Sequence, residues 1–170
     1  MFIDELFSYK LLLHAGICEP YEKWISKRLE TENPLSDLTL QLSTLGNNND
    51  VISELSTFTL GVKINYTTVF NIIWETLHKN YSNGTLSRES CVCAMYIIAT
   101  NTDDYLSEPW YSMYILHDLL DEAKSRYITM ESFNDAFEAF INQKIPVSDT
   151  AYSHRKEVSQ KWWKRIFKHK

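Results

Sequence analysis

Few residues of this chain stand at spacings that chemistry could use, and each such group falls short of a complete set. Glu75 and His78 lie three apart, which on a helix places a carboxylate and an imidazole on adjoining turns, as bundle metal sites require. Such a site needs a second pair on another helix and two further glutamates. His117 follows Tyr114, not a glutamate, at that spacing. Glu75 and His78 also fall on the polar side of their own helix, so no metal and no cofactor is expected. Cys91 and Cys93 lack a second paired motif at zinc-ligand spacing. Two apart on a helix, they point to different sides, and both are expected to be buried as small apolar residues. His14 beside Cys18 could form a thiolate–imidazole pair, but Gly16 is expected to end the helix between them. There is no Gly-rich phosphate loop, Gly-x-Ser-x-Gly elbow or His-Glu-x-x-His motif.

What remains is a concentration of carboxylates. From Asp103 to Ile141 the chain has nine acids against two bases, Lys124 and Arg126. One chemistry open to them is Mg²⁺ binding for phosphoryl hydrolysis, with Asp103, Asp104 and Glu108 as inward acids. All-α nucleotide hydrolases of that kind place carboxylates inward between helices. Here the inward positions are Phe, Leu, Met and Ala, so a metal-dependent phosphohydrolase is kept only as the alternative to a protein that is not an enzyme.

The same stretch reads better as a surface. A helix is predicted from Glu108-Pro109-Trp110 through Arg126, with Met113, Leu116, Leu120, Ala123 and Tyr127 at spacings of 3, 4, 3 and 4 forming its buried face. At roughly 100° per residue, Tyr111, Tyr114, Asp118, Asp121 and Glu122 share the other side. A second helix, Met130 to Ile141, turns Phe133, Ala136, Phe137, Phe140 and Ile141 inward and Glu131, Asp135, Glu138 and Asn142 outward. Carboxylates crowded this densely repel one another unless positive charge sits nearby. The pair is either a docking surface for a basic partner, with tyrosines as amphipathic anchors, or an ordinary acidic surface.

The elements that must position this pair are helical as well. A first helix is predicted from Asp4 to Ala15, stopped by Gly16. Pro20 opens a second, whose face carries Tyr21, Trp24, Ile25 and Leu29. After Asn33-Pro34, Leu35, Leu38, Leu42 and Leu45 are spaced for burial on a third. The loop from Gly46 to Asp50 follows, with Asp50 as cap of a short helix Val51–Leu60. Asn65 caps a longer helix with Val69, Phe70, Ile73, Trp74, Leu77 and Tyr81 in its stripe. Ser87 opens the next, apolar nearly all round from Cys91 to Ala99 and therefore expected to be central. Thr129 caps the second acidic helix, and Lys144-Ile145-Pro146 breaks it. A last helix is expected over about 149–168. The fold class is all-α: a single-domain bundle or irregular array of antiparallel helical hairpins over 1–170, with about seven to nine helices and no fixed-period repeat.

Composition agrees with that class. Apolar residues make up 44% and aromatics 14%, too many for a disordered chain, and only four Gly and four Pro break it. Three cysteines give no pairing framework and fit reduced thiols in a cytoplasm. The start carries acids where a secretory signal needs bases, and the longest apolar run is far below the ~20 residues that span a bilayer. Charge is divided unevenly. Residues 1–150 hold 10 bases and 21 acids, a net of −11, whereas 151–170 hold 7 bases and 1 acid, a net of +6. Phosphate backbones would be repelled across the acidic body. The basic segment, with Trp162 and Trp163, has three readings: nucleic acid or anionic membrane binding, a partner contact in the manner of an adaptor, or packing on the acidic body that it neutralises.

In size, charge and layout the chain resembles the small acidic all-helical immunity proteins that bacteria make against their own secreted toxins. The short hairpins up to Leu60, the Asn65 to Ala99 pair and the acid-rich Asp103 to Ile141 pair carry that resemblance. It implies a cytosolic, non-enzymatic inhibitor that neutralises a cognate toxin, often a nuclease, by covering its basic substrate cleft. The expected partner-binding residues are then Tyr111, Tyr114, Asp118, Asp121, Glu122, Glu131, Asp135 and Glu138.

Overall fold

Polar side chains set where the helices begin in the computed structural model, which describes residues 2–147. In order, the helices are α1 (Phe2–His14), α2 (Glu19–Thr31), α3 (Asp37–Ser43), α4 (Asn48–Thr59), α5 (Tyr66–Ser82), α6 (Arg88–Thr100), α7 (Trp110–Lys124) and α8 (Met130–Gln143). Ser36, Asn47, Asn65 and Thr129 each accept a backbone N–H two or three residues into the helix that follows, satisfying a donor that would otherwise be orphaned. The caps at Asn65 and Thr129 stand where the sequence puts them. That of α4 does not: Asn47 is the cap, and Asp50, expected in that role, lies in the first turn and accepts the Asn47 side-chain amide at 2.7 Å. The protein is all-α, and no strand occurs among the described residues.

The chain forms two compact units, the first ending at Ser87 and the second beginning at Arg88. In the first, α1 packs on α2, α4 and α5, which is why Leu6, Phe7, Leu11, Leu12 and Leu13 are buried around so much of its circumference. Its end is fixed by Gly16, at φ +75°, where Gly16 N–H reaches Leu13 O (3.0 Å) and Ile17 N–H reaches Leu12 O (2.9 Å). This is the Schellman turn, whose left-handed residue favours glycine. Leu6, Leu13, Tyr21, Leu42, Val51 and Leu55 form a core that joins α1 to α2, α3 and α4. Leu29, assigned to the buried face of α2, is instead 44% exposed. Of the α3 stripe only Leu42 is fully buried.

In the second unit α7 packs on both α6 and α8. Its core comes from Cys91, Val92, Met95 and Ile98 of α6, Met113, Leu116 and Leu120 of α7, and Phe133, Phe137, Phe140 and Ile141 of α8. The inward residues expected of α8 are all buried. Two expectations fail here. Tyr127, placed on the inward stripe of α7, is 84% exposed, because the helix ends at Lys124 and Arg126 turns left-handed at φ +64°. Cys93 is exposed while Cys91 is buried, since positions two apart on a helix cannot share one face. The basic helix expected over 149–168 lies outside the described residues. No helix among those described is long and apolar enough to cross a membrane.

Candidate functional site

The residues that could do chemistry do not assemble. His78 stacks on Trp74 with ring centroids 5.0 Å apart and planes 11° from parallel, and Glu75 is exposed beside it. Among the described residues, no three of His, Cys, Asp and Glu come together as a metal-binding set. Asp103, Asp104 and Glu108 are exposed, not inward. Asp104 accepts the Ser107 hydroxyl (2.6 Å) and Glu108 accepts the Ser112 hydroxyl (2.6 Å). Burial pushes the Cys91 thiol up to about 12, which keeps it protonated and unreactive. His14 is exposed, and Cys18 receives the Asn48 side-chain amide at 3.0 Å. The first unit has a groove of about 200 Å³ between α2, α3 and α4, lined chiefly by Tyr21, Ile25, Leu42 and Leu45, without a carboxylate, imidazole or thiol.

The outer side of α7 is more organised than its sequence alone indicates. Tyr111 and Tyr114 are half-buried, Asp118 and Asp121 exposed, and Glu122 half-buried. Tyr114 is the centre of a series of rings from three parts of the chain. Tyr96 of α6 lies 5.4 Å from it, Tyr105 of the preceding loop 5.8 Å, and His117 continues the series at 4.5 Å from Tyr96. These are the separations of favourable tilted aromatic pairs, so the phenol rings support one another in place. Asp118, one turn along from Tyr114, raises the phenol pKa foremost by its negative charge, which keeps that hydroxyl a neutral donor. Tyr96, Tyr105 and His117 are not among the partner-binding residues expected from the sequence. Their signal was faint: Tyr96 belongs to a helix expected to be central, and Tyr105 precedes the predicted start of α7 at Glu108.

Charge on this face is unbalanced. The Arg88 guanidinium donates to Asn134 Oδ1 (2.8 Å) and Glu138 Oε1 (2.9 Å) and lies over the Phe137 ring at 5.6 Å. Lys124 donates to Glu89 at 3.1 Å. Both cations therefore serve carboxylates away from the α7 face, and Glu138 already has a charged partner. Asp121 has an imidazole for a neighbour, His117 Nδ1 at 3.7 Å. Asp118 makes no hydrogen bond or ion pair among the described residues, and neither do the exposed Glu131 and Asp135 of α8. The structure thus brings the five α7 residues together on one face and sets Glu138 in a separate network. Comparison of the chain with protein-family models, with curated proteins and with solved structures gives no significant match.

Proposed function

We propose that this chain is a non-enzymatic binding protein, an inhibitor of the immunity type, whose α7 face enters a cationic groove on a toxin domain and keeps substrate out. The observation that carries this reading is the pairing on one face of exposed carboxylates, of which Asp118 makes no ion pair among the described residues, with tyrosine rings already stacked in place. Carboxylates without an internal cation raise the negative potential outside the helix, which speeds encounter with a basic surface. Rings already packed lose little freedom on binding, and their burial slows release. A groove built to hold phosphate backbone, as in a nuclease, is opposite in charge to such a face. The three free cysteines support a reducing cytoplasm as the site of action.

The test pairs the chain with the product of the neighbouring reading frame, since inhibitors are commonly encoded beside their targets. In calorimetric titration, Asp118→Lys with Asp121→Lys is expected to weaken binding by about 3 kcal/mol while far-ultraviolet circular dichroism stays unchanged. Equal affinity of the double variant and the parent would remove α7 as the contact.

A further inference from the structure

Three tyrosines from separate parts of the second unit meet beside an exposed carboxylate, and their spacing discriminates among cations. Tyr96 and Tyr105 each pair with Tyr114, with centroids 5.4 and 5.8 Å away and planes inclined at 33° and 46°. A cation sandwiched between two rings needs about 7–8 Å between them, twice a van der Waals contact of about 3.5–4 Å. Neither pair leaves that space, so a cation must lie across the outward surfaces of the rings. Those surfaces are open: Tyr105 is 40% exposed, and Tyr96 and Tyr114 are half-buried. Asp118 stands one helical turn from Tyr114 on the same face of α7. Its negative charge is the foremost cause that raises the Tyr114 phenol pKa, so carboxylate and ring are close in space.

We infer that this tyrosine shelf, together with Asp118, is a recognition site for an arginine side chain of the basic partner. The inference rests on α7 being the docking face and names the residue type that the face takes. A guanidinium is flat and weakly hydrated, so it can lie on an aromatic surface while its edge donates two N–H groups to one carboxylate. An ammonium is compact and strongly hydrated; it gains the charge of Asp118 but little from the rings. The fold uses the same chemistry twice. Arg28 lies over the Phe2 and Trp24 rings while donating to Glu32, and Arg88 lies over Phe137 while donating to Glu138. At the shelf, rings and carboxylate are in place and the cation comes from the partner. Arg88 and Lys124 are paired with Glu138 and Glu89. Asp118 lies about 9 Å of helical rise before the end of α7, and Arg126 lies beyond that end. Arg126 makes neither an ion pair nor a ring contact among the described residues.

The test titrates the full-length chain with hexa-arginine and with hexa-lysine, followed by nuclear magnetic resonance of its amides and tyrosine rings. The two peptides carry equal charge, so simple attraction to the acids treats them alike. Hexa-arginine is expected to bind about fivefold more tightly, with its largest ring shifts at Tyr105 and Tyr114. Both affinities should fall at 1 M salt, where the screening length is about 3 Å, while the preference for arginine persists. Tyr105→Ala, at an exposed loop position, and Tyr114→Leu should each weaken hexa-arginine binding about threefold and narrow the preference. Tyr114→Phe should leave it intact, because the cation uses the ring and not the hydroxyl. Equal affinities for the two peptides would overturn the inference and leave the docking face standing. So would a preference for arginine that survives both Tyr105→Ala and Tyr114→Leu undiminished. If neither peptide moves the amides of residues 111–122, the docking face falls as well.

Discussion

The two units use charge in opposite ways. In the first, charged groups tie one stretch of chain to another. The Arg28 guanidinium donates to Thr39 Oγ1 (2.9 Å) and Glu32 Oε1 (2.7 Å), Glu32 also accepts the Thr39 hydroxyl (2.6 Å), and the cation lies over the Phe2 and Trp24 rings at 5.3 Å each. Lys23 and Lys79 both approach Glu19. Asp4, only 5% exposed, accepts the Asn65 N–H at 2.8 Å and so ties α1 to the start of α5. In the second unit Arg88 and Lys124 make such ties at Glu138 and Glu89, and Asp118 and Asp121 of α7 are left facing outward. The Arg28–Glu32 pair is half-buried and hydrogen-bonded, whereas Asp118 is exposed and makes no ion pair among the described residues. Exposed pairs contribute little to stability, so the outward acids need another reason to be there.

The sharpest break in this comparison should come at Asp4. Asp4→Ala leaves the Asn65 N–H without its charged acceptor, a loss of about 2 kcal/mol measurable in urea unfolding. The wild-type carboxyl is held below its ordinary value, foremost by that hydrogen bond. Its contribution is therefore complete above the unfolded pKa of about 3.9 and disappears as pH falls through the lower folded value. The stability difference between parent and variant should be constant from pH 5 to 8 and shrink below pH 4. A difference that stays constant down to pH 2 would show that packing, not the ionised carboxyl, is what Asp4 supplies.

How much of this was visible in the sequence depended on how local each cause is. Helix count and class were legible because apolar periodicity and Asn or Thr caps act within a few residues. The α7 stripe was legible for the same reason. Tyr127 was misplaced because its spacing continues the stripe past a helix end that no glycine announces. Cys93 was misplaced because the run from Cys91 to Ala99 is apolar beyond what its buried side requires. The ring series around Tyr114 was not legible at all, since Tyr96 and Tyr105 reach it from other elements. Nor was the capture of Glu138 by Arg88, fifty residues away.

Helix ends give a second, smaller contrast. The first unit places glycines at its left-handed positions, Gly16, Gly61 and Gly84, whereas the second uses Arg126 (φ +64°) and Lys144 (φ +56°). At Arg126 the turn is complete, with Arg126 N–H on Ala123 O (3.1 Å) and Tyr127 N–H on Glu122 O (2.9 Å). Only the Cβ is disfavoured there, by roughly 1–2 kcal/mol. Arg126→Gly relieves that strain but loosens the unfolded chain, so a net stabilisation of about 0.5–1 kcal/mol is expected in thermal unfolding. A destabilised variant would mean that the arginine side chain has a structural task of its own.

The smallest expected effect is the one that separates the two uses of charge most cleanly. Asp118→Asn removes a carboxylate that has no cation among the described residues and keeps its shape. If the α7 acids close nothing within the fold, urea unfolding should change by less than about 0.5 kcal/mol, in line with exposed positions remote from any network. It should move, if at all, toward greater stability, because a repulsion among neighbouring acids is relieved. The Tyr114 phenol, whose pKa Asp118 raises most, should then titrate lower in the ultraviolet spectrum. This second readout shows that the substitution reached the face even when stability does not move. A loss of 1 kcal/mol or more would place Asp118 with Asp4 and Glu32, as a charge that the fold itself requires, and the contrast between the units would go.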